Sequence, residues 1–230
     1  ALLAASAFVF QPNLVAVGAH GHGSQLVDSA YLPLLLWLAA RWLRKGTLAE
    51  LGWLALAGGF QFLRGHVQIC YYTWLAIALY AVVMLIAHAR RPAELPGVLL
   101  RAGALGAAAA LAFGVAGVYN LPLHDYVQYS MRGASATGGG APFEYATGWS
   151  MSAYELPSIV FPSFVGFGGA TYWGGMPFTD YPNPFIGVIV ALLALCGFVT
   201  RGDGNGVTRS FVGALAGIAL LVALGRNFPI

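Results

Sequence analysis

Apolar positions in this chain fall into long uninterrupted runs, separated by short clusters of charge, glycine and histidine. Six runs approach the length a membrane-crossing helix needs, about 20 residues at 1.5 Å rise for a hydrocarbon core of about 30 Å. They are Leu26–Leu43, Leu48–Leu63, Val67–Ala87, Val98–Val118, Phe185–Thr200 and Val207–Leu224. The second is short and interrupted by Gly58-Gly59, a pair that either loosens a helix or lets a neighbour approach closely. Pro33 lies inside the first and predicts a kink there. Ala1–Phe10 reads as the tail of an earlier span. The pattern predicts an all-α fold, a polytopic transmembrane helical bundle.

Composition supports that class. Charged residues make up 8% of the chain and apolar ones 59%, whereas an ordinary soluble domain carries roughly 25% charge. So few charges do not cover the surface of a soluble protein of this size. The net charge of +3 carries no basic tract with interleaved aromatics, so nucleic acid is not an expected partner; membrane lipids are. Cys70 and Cys196 both sit in apolar runs without metal-ligand spacing, and packing is their expected role. The first residue is Ala1 and the chain stops just after an apolar run, which reads as an internal piece of a longer protein.

Charge placement orients the runs. With Arg41, Arg44 and Lys45 on the cytoplasmic side, Arg90, Arg91, Arg101, Arg201 and Arg209 fall on that side too. Only Arg64, Arg132 and Arg226 remain outside, so one topology satisfies the positive-inside bias. The outer side then receives His20, His22, His66, His124 and all of Tyr119–Asn183. Asp28, about one turn inside the first full span, is expected to face the protein interior or a wet cleft.

Tyr119–Asn183 is the anomaly. It holds 14 of the 31 aromatic residues, too many for a disordered linker, and loops of that length are usually functional. Pro122 is expected to end the helix that enters it. The run 134–141, with three consecutive glycines, is a lid, a hinge or a plain connector. Ser150, or else Ser152, is placed to cap a short helix containing Glu155. Ile159–Phe167 is too short to cross and fits an interfacial or re-entrant element. Trp149, Tyr154, Tyr172, Trp173 and Tyr181 suit the headgroup level, or together a sugar- or lipid-contacting surface.

The chemical candidates all lie on this side. His20 and His22 are spaced to bind a divalent metal only if a third ligand joins them, with hydrogen bonding or phosphate contact as the alternative. Arg64 and Arg132 offer bidentate guanidinium geometry for a phosphate, against simple anchoring to lipid. Glu144 and Glu155 are potential partners of Arg132. No nucleophile-elbow, Walker or zincin pattern occurs.

Several of these motifs occur in the order found in a known family. Gly21-His22-Gly23-Ser24-Gln25-Leu26 ahead of a Pro33-containing helix resembles the YfhO family of bacterial multi-pass membrane proteins. So do Tyr129-Ser130-x-Arg132-Gly133, Tyr145–Ser150 with Glu155 and Pro157, Tyr172-Trp173-Gly174 leading to Pro177–Asn183, and the closing Ala223–Asn227. The resemblance implies a GT-C-type fold in the bacterial cytoplasmic (inner) membrane, with the 119–183 loop periplasmic. It implies transfer of a sugar from a polyprenyl-phosphate carrier to a cell-surface glycan or lipid acceptor. Arg132, with help from Arg64 and His22, would then neutralise the carrier phosphate, Tyr129, Tyr145 and Trp149 would bracket sugar or isoprenoid, and His124 would be a further substrate-binding residue. Family members are several times longer, and the catalytic carboxylate of GT-C enzymes lies in a first external loop, which here would precede Ala1. This fragment alone is expected to be inactive. The rival readings are a transporter or flippase for a lipid-linked substrate, and a non-catalytic membrane scaffold.

Overall fold

The computed structural model describes residues 2–127, 129, 143–166, 171–175, 184–200 and 206–228. Arg132, the glycine-rich run 134–141, Tyr181 and Arg201 lie outside the described residues, as does the side chain of Tyr145. Among the described residues the fold is all-α, with no strand beyond one isolated bridge at Phe164 and Gly166. The helices are α1 (Leu2–Val9), α2 (Pro12–Ala19), α3 (Gly23–Lys45), α4 (Leu48–Phe62), α5 (Val67–His88), α6 (Leu95–Val115), α7 (Gly117–Val127), α8 (Phe143–Ala146), α9 (Val188–Val199) and α10 (Gly206–Leu224).

α3, α5, α6 and α10 with the turn that continues it are long and apolar enough to cross a membrane. The pair α1 and α2, bent by 40° at Pro12, passes the same test only as one broken span. Large apolar side chains such as Trp37, Ile86, Leu100 and Leu111 are exposed along these helices, while Asp28, Gln61 and Thr73 are fully buried. Such an inversion is unfavourable in water and suits a membrane-embedded, multi-pass protein.

The chain divides into two compact units, one of Gly23–Gly139 with Gly206–Leu215, the other of Ala1–His22, Gly140–Asn205 and Ala216–Ile230. In the first, α3 to α6 pack around Leu35, Leu38, Trp42 and Leu43 of α3, Leu54 of α4, Ile77 and Tyr80 of α5 and Leu105 of α6, with Phe211 of α10 set edge-on against Tyr80. Gly58 and Gly59 let neighbours close in. A Cβ at Gly58 would stand 2.7 Å from the Trp74 ring, and one at Gly59 2.8 Å from Val115. α6 meets this surface with Ala108 and Ala112, both fully buried. Small residues facing each other are how membrane helices gain packing contact where lipid offers no hydrophobic gradient.

This bundle has two chemically different ends. At one, Arg101 donates to the carbonyls of Leu43 and Arg44 (3.0 and 3.1 Å), closing the C-terminus of α3, and Trp42 Nε1 donates back to the Arg101 carbonyl at 2.8 Å. Gly46, at φ +72°, leaves room for the Arg101 guanidinium. Arg41 pairs with Glu50 at 2.7 Å and Arg44 donates to Tyr80 at 3.1 Å. The other end carries Asp28, Gln61, the Arg64-Gly65-His66 turn and Tyr119. α4 runs from the basic end to the polar one, although its 15 residues reach only about 22 Å.

Two expectations change. Pro122 does not stop the helix: α7 begins at Gly117, so the ring falls in its second turn, and the helix runs on to Val127. The 185–200 run is helical only over Val188–Val199, about 18 Å, because Gly187 at φ +95° starts it late and Thr200 leaves it extended. Pro33 lies within an α3 that stays helical from Gly23 to Lys45.

Candidate functional site

Apart from Glu50 at the basic end, the polar end of the α3–α6 bundle gathers the buried polar side chains of that unit among the described residues. Asp28 comes from the second turn of α3, Gln61 from the last turn of α4, and Cys70 and Thr73 from the first two turns of α5. The turn between α4 and α5 is short enough that Gln61 and Thr73 face each other across it. Gln61 Nε2 donates to Thr73 Oγ1 at 2.9 Å and to the Asp28 main-chain carbonyl at 3.2 Å. The Thr73 hydroxyl donates in turn to the Ile69 carbonyl at 2.8 Å. Asp28 Oδ2 accepts the His66 backbone N–H at 3.0 Å, with the Cys70 thiol at 3.9 Å.

These contacts fix the Arg64-Gly65-His66 turn. Gly65 sits at φ +80°, a conformation disfavoured for other residues, and a Cβ there would lie 2.8 Å from the Tyr119 hydroxyl. The turn is therefore held from one side by Asp28 and closed from the other by Tyr119. It leaves the Arg64 guanidinium exposed, with no hydrogen bond to Asp28 among the described residues. Tyr71 and Tyr72, one turn into α5, are exposed as well and tilt against each other.

In the other unit the long segment is organised by Glu155, which is 1% exposed. Ser152, not Ser150, caps the 3₁₀ turn Ala153–Ile159: the Ser152 N–H donates to Glu155 Oε2 at 2.7 Å in a capping box. Glu155 Oε1 accepts the Tyr172 hydroxyl at 2.5 Å and the Gly175 N–H at 3.0 Å. A Cβ on Gly174 would collide with both the Glu155 carboxyl group and the Tyr172 hydroxyl. Tyr154 and Trp173 stack with centroids 5.8 Å apart. Ser150 instead receives the Arg226 N–H on its hydroxyl at 3.1 Å, and Asn227 Nδ2 donates to the Ser150 and Met151 carbonyls. Glu155 is thus a structural pin for this segment.

The residues singled out from the sequence fall in both units. Arg64, His124 and Tyr129 belong to the helical bundle unit, where His124 on α7 and Tyr129 just beyond it are exposed. His22, Trp149 and the backbone of Tyr145 belong to the other, with His22 and Trp149 exposed. His20 Nδ1 bonds the Ala16 carbonyl at 2.8 Å. Among the described residues no group of three or more His, Cys, Asp and Glu is placed to hold a metal ion.

Gln61, Thr73 and Cys70 are the residues that sequence reasoning missed. Their signal was weak but present: Gln61 and Thr73 are lone polar residues near the two ends of a tight turn between apolar runs. Cys70 is buried as expected, but its thiol points to a carboxylate; Cys196 is exposed. No protein-family model, curated protein or solved structure matches the chain.

Proposed function

We propose that this chain is part of a membrane glycosyltransferase of the GT-C type, related to the YfhO family, that takes a sugar from a polyprenyl-phosphate carrier. The observation that supports this reading is the presentation of Arg64. It stands exposed at the polar end of an apolar helix bundle, on a turn pinned by Asp28 and covered by Tyr119. An amphiphile with a phosphate head and an isoprenoid tail matches that pairing: the guanidinium takes phosphate oxygens and the helix surface takes the tail. In this reading the basic end faces the cytoplasm of a bacterial inner membrane and the polar end faces outward. Arg132, in the same unit of the chain, would assist Arg64, and Tyr129 of that unit would flank the sugar. As the sugar–phosphate bond breaks, charge grows on the departing phosphate, where cationic donors stabilise it. No residue of either unit is assigned as the base that deprotonates the acceptor hydroxyl.

The test uses the full-length protein in lipid nanodiscs with a polyprenyl-phosphate-linked sugar. Removing one charge-assisted contact with Arg64→Ala is expected to weaken carrier binding about 10- to 100-fold, from roughly 1.5–3 kcal/mol. Arg132→Lys is expected to slow transfer more than it weakens binding. Unchanged binding and transfer in both variants would remove the arginines from the role. In sealed proteoliposomes, carrier that crosses the bilayer with its sugar–phosphate bond intact would identify a flippase instead.

A further inference from the structure

Asp28 and Gln61 are each 0% exposed, and each carries an oxygen without a hydrogen-bond donor among the described residues: Asp28 Oδ1 and Gln61 Oε1. The Gln61 amide cannot rotate to cure this. Both of its N–H groups are committed, to the Asp28 carbonyl at 3.2 Å and to Thr73 Oγ1 at 2.9 Å. A flip would set Oε1 against the Asp28 carbonyl, acceptor against acceptor. It would also face Thr73, whose one hydroxyl proton is committed to Ile69. The other Asp28 oxygen, Oδ2, is occupied by the His66 N–H and the Cys70 thiol. The two oxygens belong to residues in direct contact through the 3.2 Å bond. A third buried atom of the same cluster, His66 Nδ1, has no hydrogen-bond partner among the described residues either.

Leaving buried acceptors unsatisfied is costly, and more so for a carboxylate in a membrane helix. A shared proton or a water would also donate to both oxygens, but a cation that takes oxygen ligands neutralises the carboxylate while leaving it ionised. Carboxylate and amide oxygens are hard donors, suited to hard cations. The charge count selects among these: one buried carboxylate is neutralised by a monovalent ion, whereas a divalent ion would leave one positive charge uncompensated inside the bundle. Arg64 attracts Asp28 through space but makes no hydrogen bond to it among the described residues.

We infer that Asp28 Oδ1 and Gln61 Oε1 form part of a binding site for a monovalent metal cation, with sodium as its probe, at the polar end of the α3–α4–α5 bundle. The ion has a structural consequence. It holds the carboxylate whose second oxygen holds the His66 N–H, and through it the turn that presents Arg64. The inference does not depend on the glycosyltransferase reading, since binding is measured without a sugar substrate.

The test takes the protein in nanodiscs and exchanges N-methylglucamine chloride for sodium chloride at constant ionic strength. A ligand that binds the folded state raises the unfolding midpoint with its concentration, so the wild type is expected to show a saturable rise with sodium. ²³Na NMR should show line broadening that lithium or potassium displaces. The His66 amide should exchange more slowly in sodium. Asp28→Asn is expected to abolish the sodium response, since the amide supplies the missing donor and removes the charge. Gln61→Met is expected to weaken the apparent sodium affinity about tenfold or more by removing one ligand. A wild type that responds alike to sodium and N-methylglucamine, with no displaceable ²³Na signal, overturns the inference whether or not the variants fold. A midpoint that follows pH but not sodium overturns it too, assigning the site to a proton. An Asp28→Asn protein that keeps the sodium response places the ion elsewhere.

Discussion

Glu155→Gln is the sharpest test of how the long segment is built. The wild-type carboxylate accepts three donors from two sides: the Tyr172 hydroxyl and Gly175 N–H on Oε1, and the Ser152 N–H on Oε2. An amide keeps an acceptor on one side only. With its oxygen toward Tyr172 and Gly175, its NH₂ faces the Ser152 N–H and the capping box is lost. The opposite orientation loses two bonds, so the first is cheaper. Its cost is one charge-assisted bond to a buried group, about 1.5–3 kcal/mol. At about 2 kcal/mol the local opening equilibrium rises about 30-fold. Hydrogen exchange read by mass spectrometry in nanodiscs measures this directly at the amides of Ser152 and Gly175. Their exchange should accelerate by about that factor, while α5 peptides stay unchanged as the control. Exchange within about threefold of wild type at both amides would show that Glu155 does not pin the segment.

Two further predictions concern the helix bundle. Gly59→Val should push α4 off α6, because even a Cβ would stand 2.8 Å from Val115 and 3.3 Å from the Ala112 carbonyl. Overpacking of this kind costs about 1–3 kcal/mol, read as a lower unfolding midpoint. Gly52→Ala on the same helix meets nothing within 4 Å and should hold or raise the midpoint, since alanine is favoured over glycine in a helix by up to about 1 kcal/mol. Arg101→Ala should lose the two bonds that close α3, lowering stability by about 1–3 kcal/mol. Arg101→Lys should recover only part of it, lacking the forked geometry, and equal midpoints for the two variants would count against the cap.

What could be read in advance follows from the scale of each signal. Helix identity came from runs of apolar residues, and α3, α5, α6 and α10 formed close to where those runs lie; Pro33 gives up one helical hydrogen bond inside α3 without ending it. Punctuation misled at two places. Pro122 looked like a stop, but a proline early in a helix gives up one bond without ending it, and the break fell at Ala116 and Gly117. Gly187 looked like part of a span and acted as its start. The capping serine was legible in principle, since Ser152-x-x-Glu155 has capping-box spacing and Ser150 does not. The partners of Glu155, 17 and 20 residues away, were not legible: pairing across a folded segment leaves no periodic trace. Arg132, expected opposite Glu155, lies outside the described residues, while the three donors on Glu155 account for its burial without it.

The geometry around Asp28 bears on why a carboxylate sits there. An aspartate gripping Arg64 side chain to side chain would hold the turn, but it would also neutralise the one cation the turn exposes. Asp28 instead takes the His66 main-chain N–H with Oδ2, so the turn is held through its backbone and the guanidinium stays available to an anion. The arrangement leaves a carboxylate charge in the bundle, next to an exposed arginine that attracts it only through space. A monovalent ion on Oδ1 would settle that charge without recruiting Arg64, and would make the Arg64 turn sensitive to the ion. Cation site and arginine turn are then two consequences of one choice, the bonding of the carboxylate to backbone rather than to its neighbouring arginine.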